Sequence, residues 1–216
     1  MTADLFDDAP DEAATLPIAP GAVLLRGFAR DIDKSLLLAF EVVTSEAPLR
    51  HLVTPGGFTM SVAMSNCGSA GWVADLRGYR YAAQDPLSGK AWPAMPASWL
   101  GLAQRASAAA GYPGFAPDAC LINSYQPGAK LSLHQDRDET DLAAPIVSVS
   151  LGLPAVFQFG TSNRKTRPQR FRLTHGDVVV WGGESRLAFH GIAPLAEGVH
   201  PLLGRRRINL TFRKTS

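Results

Sequence analysis

The segment Leu131-Ser132-Leu133-His134-Gln135-Asp136 alternates apolar and polar residues and reads as a strand. Residues two apart on a strand point the same way, so His134 and Asp136 aim at one point while Gln135 faces away. Two imidazoles and one carboxylate on a strand-rich scaffold hold one face of an octahedral iron(II) and leave three positions for chemistry. The second imidazole is His190, and the chain must fold back to deliver it.

Outward from this segment, the chain from Cys120 on is a series of short strands separated by turn residues. The expected spans are 119–125, 131–136, 145–151, 154–159, 170–174, 177–181, 186–190 and 206–213. Strands so spaced define a sandwich or jelly roll. In the last of them Arg207, Asn209, Thr211 and Arg213 share one face, and Ile208, Leu210 and Phe212 the other. The polar face either meets water or lines the mouth of the barrel, where two guanidinium forks bind an anion in a way Lys does not reproduce. Leu121, Asn123 and Tyr125 form a similar face, and Ser148 and Ser150 offer small hydroxyls. The combination is an iron site beside a pocket for a dicarboxylate.

Towards the N-terminus, residues 1–20 carry acids but no Lys or Arg and read as a mobile tail in which Leu5-Phe6 packs on the surface. A strand is expected over 22–26. A helix is expected over 31–46, with Asp31 as N-cap and Leu36, Leu37, Phe40 and Val43 on one stripe. A second helix spans 96–110 and is closed by Gly111 and Pro113. Between them, from His51 to Pro96, the texture turns to Gly, Pro, Tyr, Trp and Met, with strand-like alternation from Phe58 to Ser65. This stretch has too little continuous apolar sequence for a core and reads as an outer layer or lid.

At 216 residues the chain fits one sizeable domain. Its hydrophobic content of 46% and charged content of 19% are globular values. No apolar run reaches the roughly 20 residues of a membrane span, and the acidic N-terminus does not read as a signal peptide, so a cytoplasmic location is expected. Cys67 and Cys120 support neither a zinc quartet nor a disulfide framework. The net charge is +2, but cations crowd the last third, including Arg164, Lys165, Arg167, Arg170 and Arg172. That asymmetry suits an anionic partner such as nucleic acid as well as a solvated cationic loop.

Beyond these readings, the chain resembles the AlkB proteins, iron(II)- and 2-oxoglutarate-dependent dioxygenases that repair alkylated bases. The likeness runs from about Gly21 to Arg213. It is carried by Thr54–Met64, Asn123–Tyr125, Pro127–Asp136, Pro145–Gly152, His175–Arg186 and Asn209–Arg213. The family motif, H-x-D, a distant H and then R-x5-R, is met by His134, Asp136, His190, Arg207 and Arg213.

The resemblance implies an α+β, mainly β fold: a double-stranded β-helix core over 119–216, flanking helices, and a nucleotide-recognition lid over 48–95, all in one dioxygenase domain, 21–216. It implies Fe(II) held by His134, Asp136 and His190. The co-substrate 2-oxoglutarate would be held at its distal carboxylate by Arg207, Asn209 and Tyr125, and at its keto-acid end with help from Arg213 and Asn123. The substrate side would comprise Met64, Trp72, Tyr79, Tyr81, Asp138 and Arg164. The implied reaction is oxidative demethylation of 1-methyladenine and 3-methylcytosine in single- or double-stranded DNA, with RNA a further substrate class, by a monomer with no membrane partner. It yields succinate, carbon dioxide, formaldehyde and the intact base.

Phe58 departs from the pattern, where Tyr is usual, and the Arg205-Arg206 run is heavier than the pattern. His175 is set aside as a ligand because its family counterpart is not one, His51 and His200 read as surface residues, and Trp92, Trp99 and Trp181 read as packing. Two alternatives stand beside the main reading: a hydroxylase of proteins or small metabolites built from the same parts, and a non-catalytic nucleic-acid binder on the same barrel.

Overall fold

A computed structural model describes residues 14–216 and places 14 strands and two α-helices in chain order. Strands β1 (Thr15–Ala19) and β2 (Ala22–Leu25) precede helix α1 (Asp33–Glu46). Then come β3 (Arg50–Val53), β4 (Thr59–Gly68), β5 (Gly71–Asp75), β6 (Gly78–Ala82) and helix α2 (Ala97–Ala109). The remainder is β7 (Ala119–Tyr125), β8 (Leu131–His134), β9 (Ile146–Gly152), β10 (Ala155–Phe159), β11 (Gln169–Leu173), β12 (Val178–Trp181), β13 (His190–Ile192) and β14 (Arg207–Arg213).

Every strand pairing is antiparallel. A large sheet runs β1-β2-β12-β9-β14-β7-β4-β3, a smaller one runs β11-β10-β13-β8, and β5-β6 is a separate hairpin. The large sheet packs one face on the helices and the other on the small sheet, which is the jelly-roll arrangement. Strict alternation makes this possible. On β14, Ile208, Leu210 and Phe212 join the helix-side core, while Arg207, Asn209, Thr211 and Arg213 line the cavity on the other face. All seven residues of β14 are buried between β7 and β9.

The two helices form because each offers an apolar stripe to that sheet. Leu36, Phe40 and Val43 are the buried positions of α1, and Trp99, Leu102, Ala103 and Ala106 those of α2. Trp99 joins the layers, donating its indole N–H to the Leu36 carbonyl at 3.2 Å and standing edge-on to Phe212. Among the described residues no helix is long and apolar enough to cross a membrane.

Several boundaries differ from the sequence reading. The expected tail over 1–20 overlaps strand β1, which pairs with β2 from Thr15 onward, while Leu5 and Phe6 lie outside the described residues. The helix expected from an Asp31 cap starts instead at Asp33, after a 3-10 turn over Arg30–Ile32 that carries no side-chain cap. The stretch 51–96 is not only an outer layer. Strand β4 pairs with β7 through Ala63–Gly68 and places Val62, Met64 and Cys67 in the core. The strand expected over 186–190 is delayed, because Gly183–Ser185 forms a 3-10 turn and pairing begins at His190. The strand expected over 131–136 stops at His134.

Candidate functional site

Strands β8 and β13 pair with His190 opposite His134, which puts the rings 4.4 Å apart. The strands lie so close here that a Cβ on Gly191 would stand 2.6 Å from the Leu131 carbonyl oxygen, so only glycine follows His190 without displacing β8. Each imidazole is oriented by backbone two residues earlier. Nδ1 of His134 donates to the Ser132 carbonyl at 2.9 Å and Nδ1 of His190 to that of Ala188 at 3.0 Å. A proton on Nδ1 leaves the lone pair of each neutral ring on Nε2, the tautomer a metal needs.

Asp136 lies two residues past the end of β8, so strand alternation is not what aims it. Its carboxylate is held by Arg213, which donates Nε and Nη2 to Oδ2 at 3.0 and 2.7 Å. Oδ1 lies 3.6 Å from His134 Nε2, and Oδ2 lies 3.7 Å from His190 Nε2. The ligand atoms of the three residues fall within 4.8 Å of one another, close enough to share one ion.

Burial raises the pKa of Asp136, but the charge of Arg213 and the two imidazoles hold it well below the usual carboxylate range. Burial and the neighbouring His134 push His190 down to about 4. Burial also lowers His134, yet attraction to Asp136 outweighs it and leaves that group raised. The centre is thus a buried anionic oxygen between two imidazoles, a donor set that suits iron(II).

The same cavity, of about 940 Å³, extends to β14. Arg207 is 1% exposed and lies 4.9 Å over the Tyr125 ring, with Nη2 donating to Ser150 Oγ at 2.9 Å. Its Nε and Nη1 are buried and have no hydrogen-bond partner among the described residues, and the same holds for Asn123 Oδ1. Burial lowers the Arg207 pKa from its ordinary value, partly offset by Tyr125. A buried guanidinium with unmatched donors at Nε and Nη1 on a cavity wall fits a carboxylate, so the residues present suit 2-oxoglutarate as well as the metal.

Other predicted residues occupy different posts. Asn209 spends its amide on neighbours: Nδ2 donates to Ser148 Oγ and the Val149 carbonyl, while Oδ1 accepts from Thr211 and Asn123. Arg213 reaches the site through Asp136 and through Glu139, whose Oε1 is 3.4 Å from its Nε.

On the substrate side, Met64, Trp72, Tyr79, Asp138 and Arg164 all line the cavity. Trp72 stacks on Tyr79 with centroids 5.3 Å apart and planes inclined by 12°, and its indole N–H donates to Asp138 Oδ2 at 2.8 Å. Arg164 lies over the Phe189 ring at 5.6 Å. Tyr81 does not reach the cavity wall. It turns its hydroxyl to Glu139 Oε1 at 2.6 Å, and burial drives its pKa well above the ordinary value.

Sequence reasoning missed Glu139 and Arg186 and misplaced Gln135 and Trp181, whereas the hydroxyl it offered at Ser150 does meet Arg207. Arg186 donates to the Asp136 backbone carbonyl at 2.7 Å and to Glu139 Oε2 at 3.1 Å. Gln135, expected to face away, lines the cavity and donates to the Leu187 carbonyl at 2.6 Å, because the strand has ended before it. Trp181, expected only to pack, also lines the cavity 4.9 Å from the His190 ring, and its buried indole N–H has no partner among the described residues. The acid Glu139, three positions past Asp136, was the one signal available.

The remaining histidines stay away from this centre. His175 accepts the Gly152 N–H on Nδ1 at 2.9 Å, bonds Asp33 through Nε2 at 3.0 Å and stacks on His200. His51 bonds the Met60 carbonyl. Trp92 and Trp99 are packed in apolar clusters.

A fold of two facing antiparallel sheets, with two imidazoles, a carboxylate and an arginine fork between them, is that of a metal- and keto-acid-dependent oxygenase. Residues 21–213 match the model of the 2OG-Fe(II) oxygenase superfamily. The chain is 60% identical over 214 residues to the alpha-ketoglutarate-dependent dioxygenase AlkB of Salmonella typhimurium, covering 99% of this chain and 98% of that protein. It is also 60% identical over 211 residues to the protein of the same name from Escherichia coli, covering 98% and 97%. The solved structure of OsALKBH1 superimposes with a TM-score of 0.82 at 28% identity, covering 93% of this chain and 100% of that one. The chain belongs to the AlkB family within the 2OG-Fe(II) oxygenase superfamily.

Proposed function

We propose that this dioxygenase removes methyl groups oxidatively from 1-methyladenine and 3-methylcytosine in nucleic acid, as a DNA-repair enzyme. The observation that carries the reading is one cavity shared by the His134–Asp136–His190 centre, the Arg207 fork and the Trp72–Tyr79 aromatic wall. His134, Asp136 and His190 would hold iron(II). Arg207, beside Tyr125 and Ser150, would take the distal carboxylate of 2-oxoglutarate, and Arg213 would set Asp136. When bound, the iron and keto acid would activate dioxygen, the oxidant, with the keto acid giving up two electrons and carbon dioxide to become succinate and the second oxygen atom converting an N-methyl group to a carbinolamine. The carbinolamine then loses formaldehyde and frees the base.

The protein's own groups select the substrate. Methylation at those ring nitrogens makes the base cationic, and a cation is attracted to the face of Trp72 and to the carboxylate of Asp138. Methylation also weakens pairing, so extruding such a base costs less than extruding a normal one. The stretch 48–95 would serve as the nucleotide-recognition lid of a single domain over 21–216, with Tyr81 fastening it rather than touching the base. The enzyme would act as a monomer in the cytoplasm, on DNA first and on RNA as a further substrate class.

The test is release of formaldehyde and succinate across methylated DNA and RNA oligomers, unmethylated controls and peptides. Stimulation confined to the methylated oligomers is expected. Turnover stimulated only by peptides or small metabolites would replace this reading with that of a hydroxylase.

A further inference from the structure

The metal carboxylate of this centre is already bound to an arginine. Arg213 gives two N–H groups to Oδ2 of Asp136, an arrangement that on its own would drain the charge a dication needs. The arginine is shared, however. Glu139 lies 3.4 Å from the same guanidinium through Oε1, accepts the Tyr81 hydroxyl on Oε1 at 2.6 Å and accepts Arg186 on Oε2 at 3.1 Å. Arg186 in turn donates to the backbone carbonyl of Asp136 at 2.7 Å and to that of Ala144 at 2.9 Å. All four charged side chains are nearly sealed from water, at 7% exposure for Asp136 and Arg213, 2% for Glu139 and 4% for Arg186.

These groups form a closed cluster of two carboxylates and two guanidiniums, neutral as a set. In a buried site charge is screened weakly, so a change of one unit next to a divalent ion is felt strongly. With the Glu139 carboxylate in place, the ion meets a neutral cluster. Without it, the ion meets a surplus cation while Asp136 is left as sole partner of Arg213.

We propose that Glu139 is a positioning and charge-balancing residue of the metal centre: it shares Arg213 and Arg186, so that Asp136 keeps Oδ1 and its negative charge for the metal. Oδ1 of Asp136 makes no hydrogen bond among the described residues, whereas Oδ2 makes two. The inference rests on the reading of His134, Asp136 and His190 as metal ligands. It goes beyond that reading by assigning a role to a residue that touches neither metal, co-substrate nor base.

Titration of the metal-free full chain with Co(II), followed by the ligand-field absorption of the bound ion, separates the possibilities. Loss of an outer partner of a metal ligand typically weakens binding roughly 10- to 100-fold. Glu139→Gln, which keeps shape and one acceptor, is expected to fall in that range. Glu139→Asp, which keeps the charge, should recover most of the affinity. Tyr81→Phe removes a donor to Glu139 without changing charge and should stay within about twofold of the parent.

The Glu139→Gln/Arg186→Gln double variant restores neutrality and should bind Co(II) more tightly than Glu139→Gln alone. A merely structural role predicts the opposite order, because the double variant loses more hydrogen bonds. If Glu139→Gln does not fold, Arg186→Gln alone decides, since a lower positive charge should leave Co(II) affinity equal or higher; a loss overturns the proposal. Co(II) binding by the parent with no difference in Glu139→Gln also overturns it. Failure of the parent itself to bind Co(II), or binding that survives His190→Ala unchanged, would instead overturn the metal-centre reading on which it stands.

Discussion

Trp72 donates its indole N–H to Oδ2 of Asp138, which fastens the aromatic hairpin to the segment just past Asp136. A second tie runs from Tyr81 on the partner strand to Glu139. The two bonds hold the face of Trp72 towards the cavity from opposite strands of β5-β6.

Replacing Trp72 by Ala should therefore harm only the handling of the base. Stacking on an aromatic side chain contributes about 1–3 kcal/mol per base, so KM for a methylated oligomer should rise roughly 5- to 150-fold. The charge-transfer absorption of anaerobic iron(II) with 2-oxoglutarate should be unchanged in the same variant. Loss of that absorption would show that Trp72 supports the centre rather than the substrate.

Arg207→Ala should weaken 2-oxoglutarate by about 2–5 kcal/mol, the effect of removing one partner of a buried charged pair. Isothermal titration under anaerobic conditions measures it. Arg207→Lys should restore only part of the affinity, because an ammonium lacks the planar guanidinium, whose Nε and Nη1 have no partner among the described residues. Equal affinity in the Ala variant and the parent would remove Arg207 from the co-substrate site.

Asp136→Ala should abolish the iron(II)–2-oxoglutarate absorption while leaving the sheets intact. It also leaves Arg213 without its main buried acceptor, so thermal stability should fall as well. A variant that keeps the absorption band would exclude Asp136 as a ligand.

Asp177 predicts an effect on stability alone. Its side chain is fully buried and accepts from Arg26 Nη1, the Gly27 N–H, and both the N–H and hydroxyl of Thr174. Asp177→Ala strands those donors and should cost about 3 kcal/mol in urea denaturation. Co(II) binding by the folded fraction should match the parent, since none of these groups lies at the centre.

The sequence was most legible where one rule governs the outcome. Period-two alternation placed Arg207, Asn209, Thr211 and Arg213 together on one face, and helical periodicity found Leu36, Phe40 and Val43. It was least legible where the backbone leaves its regular path. His134 and Asp136 were matched by a strand argument, yet β8 ends at His134 and a guanidinium from β14 aims the carboxylate. The same early ending brought Gln135 to the cavity instead of away from it. Glu139 and Arg186 escaped notice because a buried ion pair between residues 47 positions apart leaves no periodic trace. The alternation from Phe58 to Ser65 marked β4 as a strand, but the turn residues and short apolar runs around it hid its burial, which comes from its neighbour β7.

Both metal-side imidazoles take their bearing from the peptide carbonyl two positions upstream. Each ring thus carries its own local anchor, and neither depends on a distant side chain to choose its tautomer. A designer wishing to move this chemistry to another scaffold would need to copy two short backbone segments for the histidines, but a whole neighbouring strand for the aspartate. The carboxylate is therefore the harder third of the triad to transplant, and the one at which drift in remote positions would first be felt.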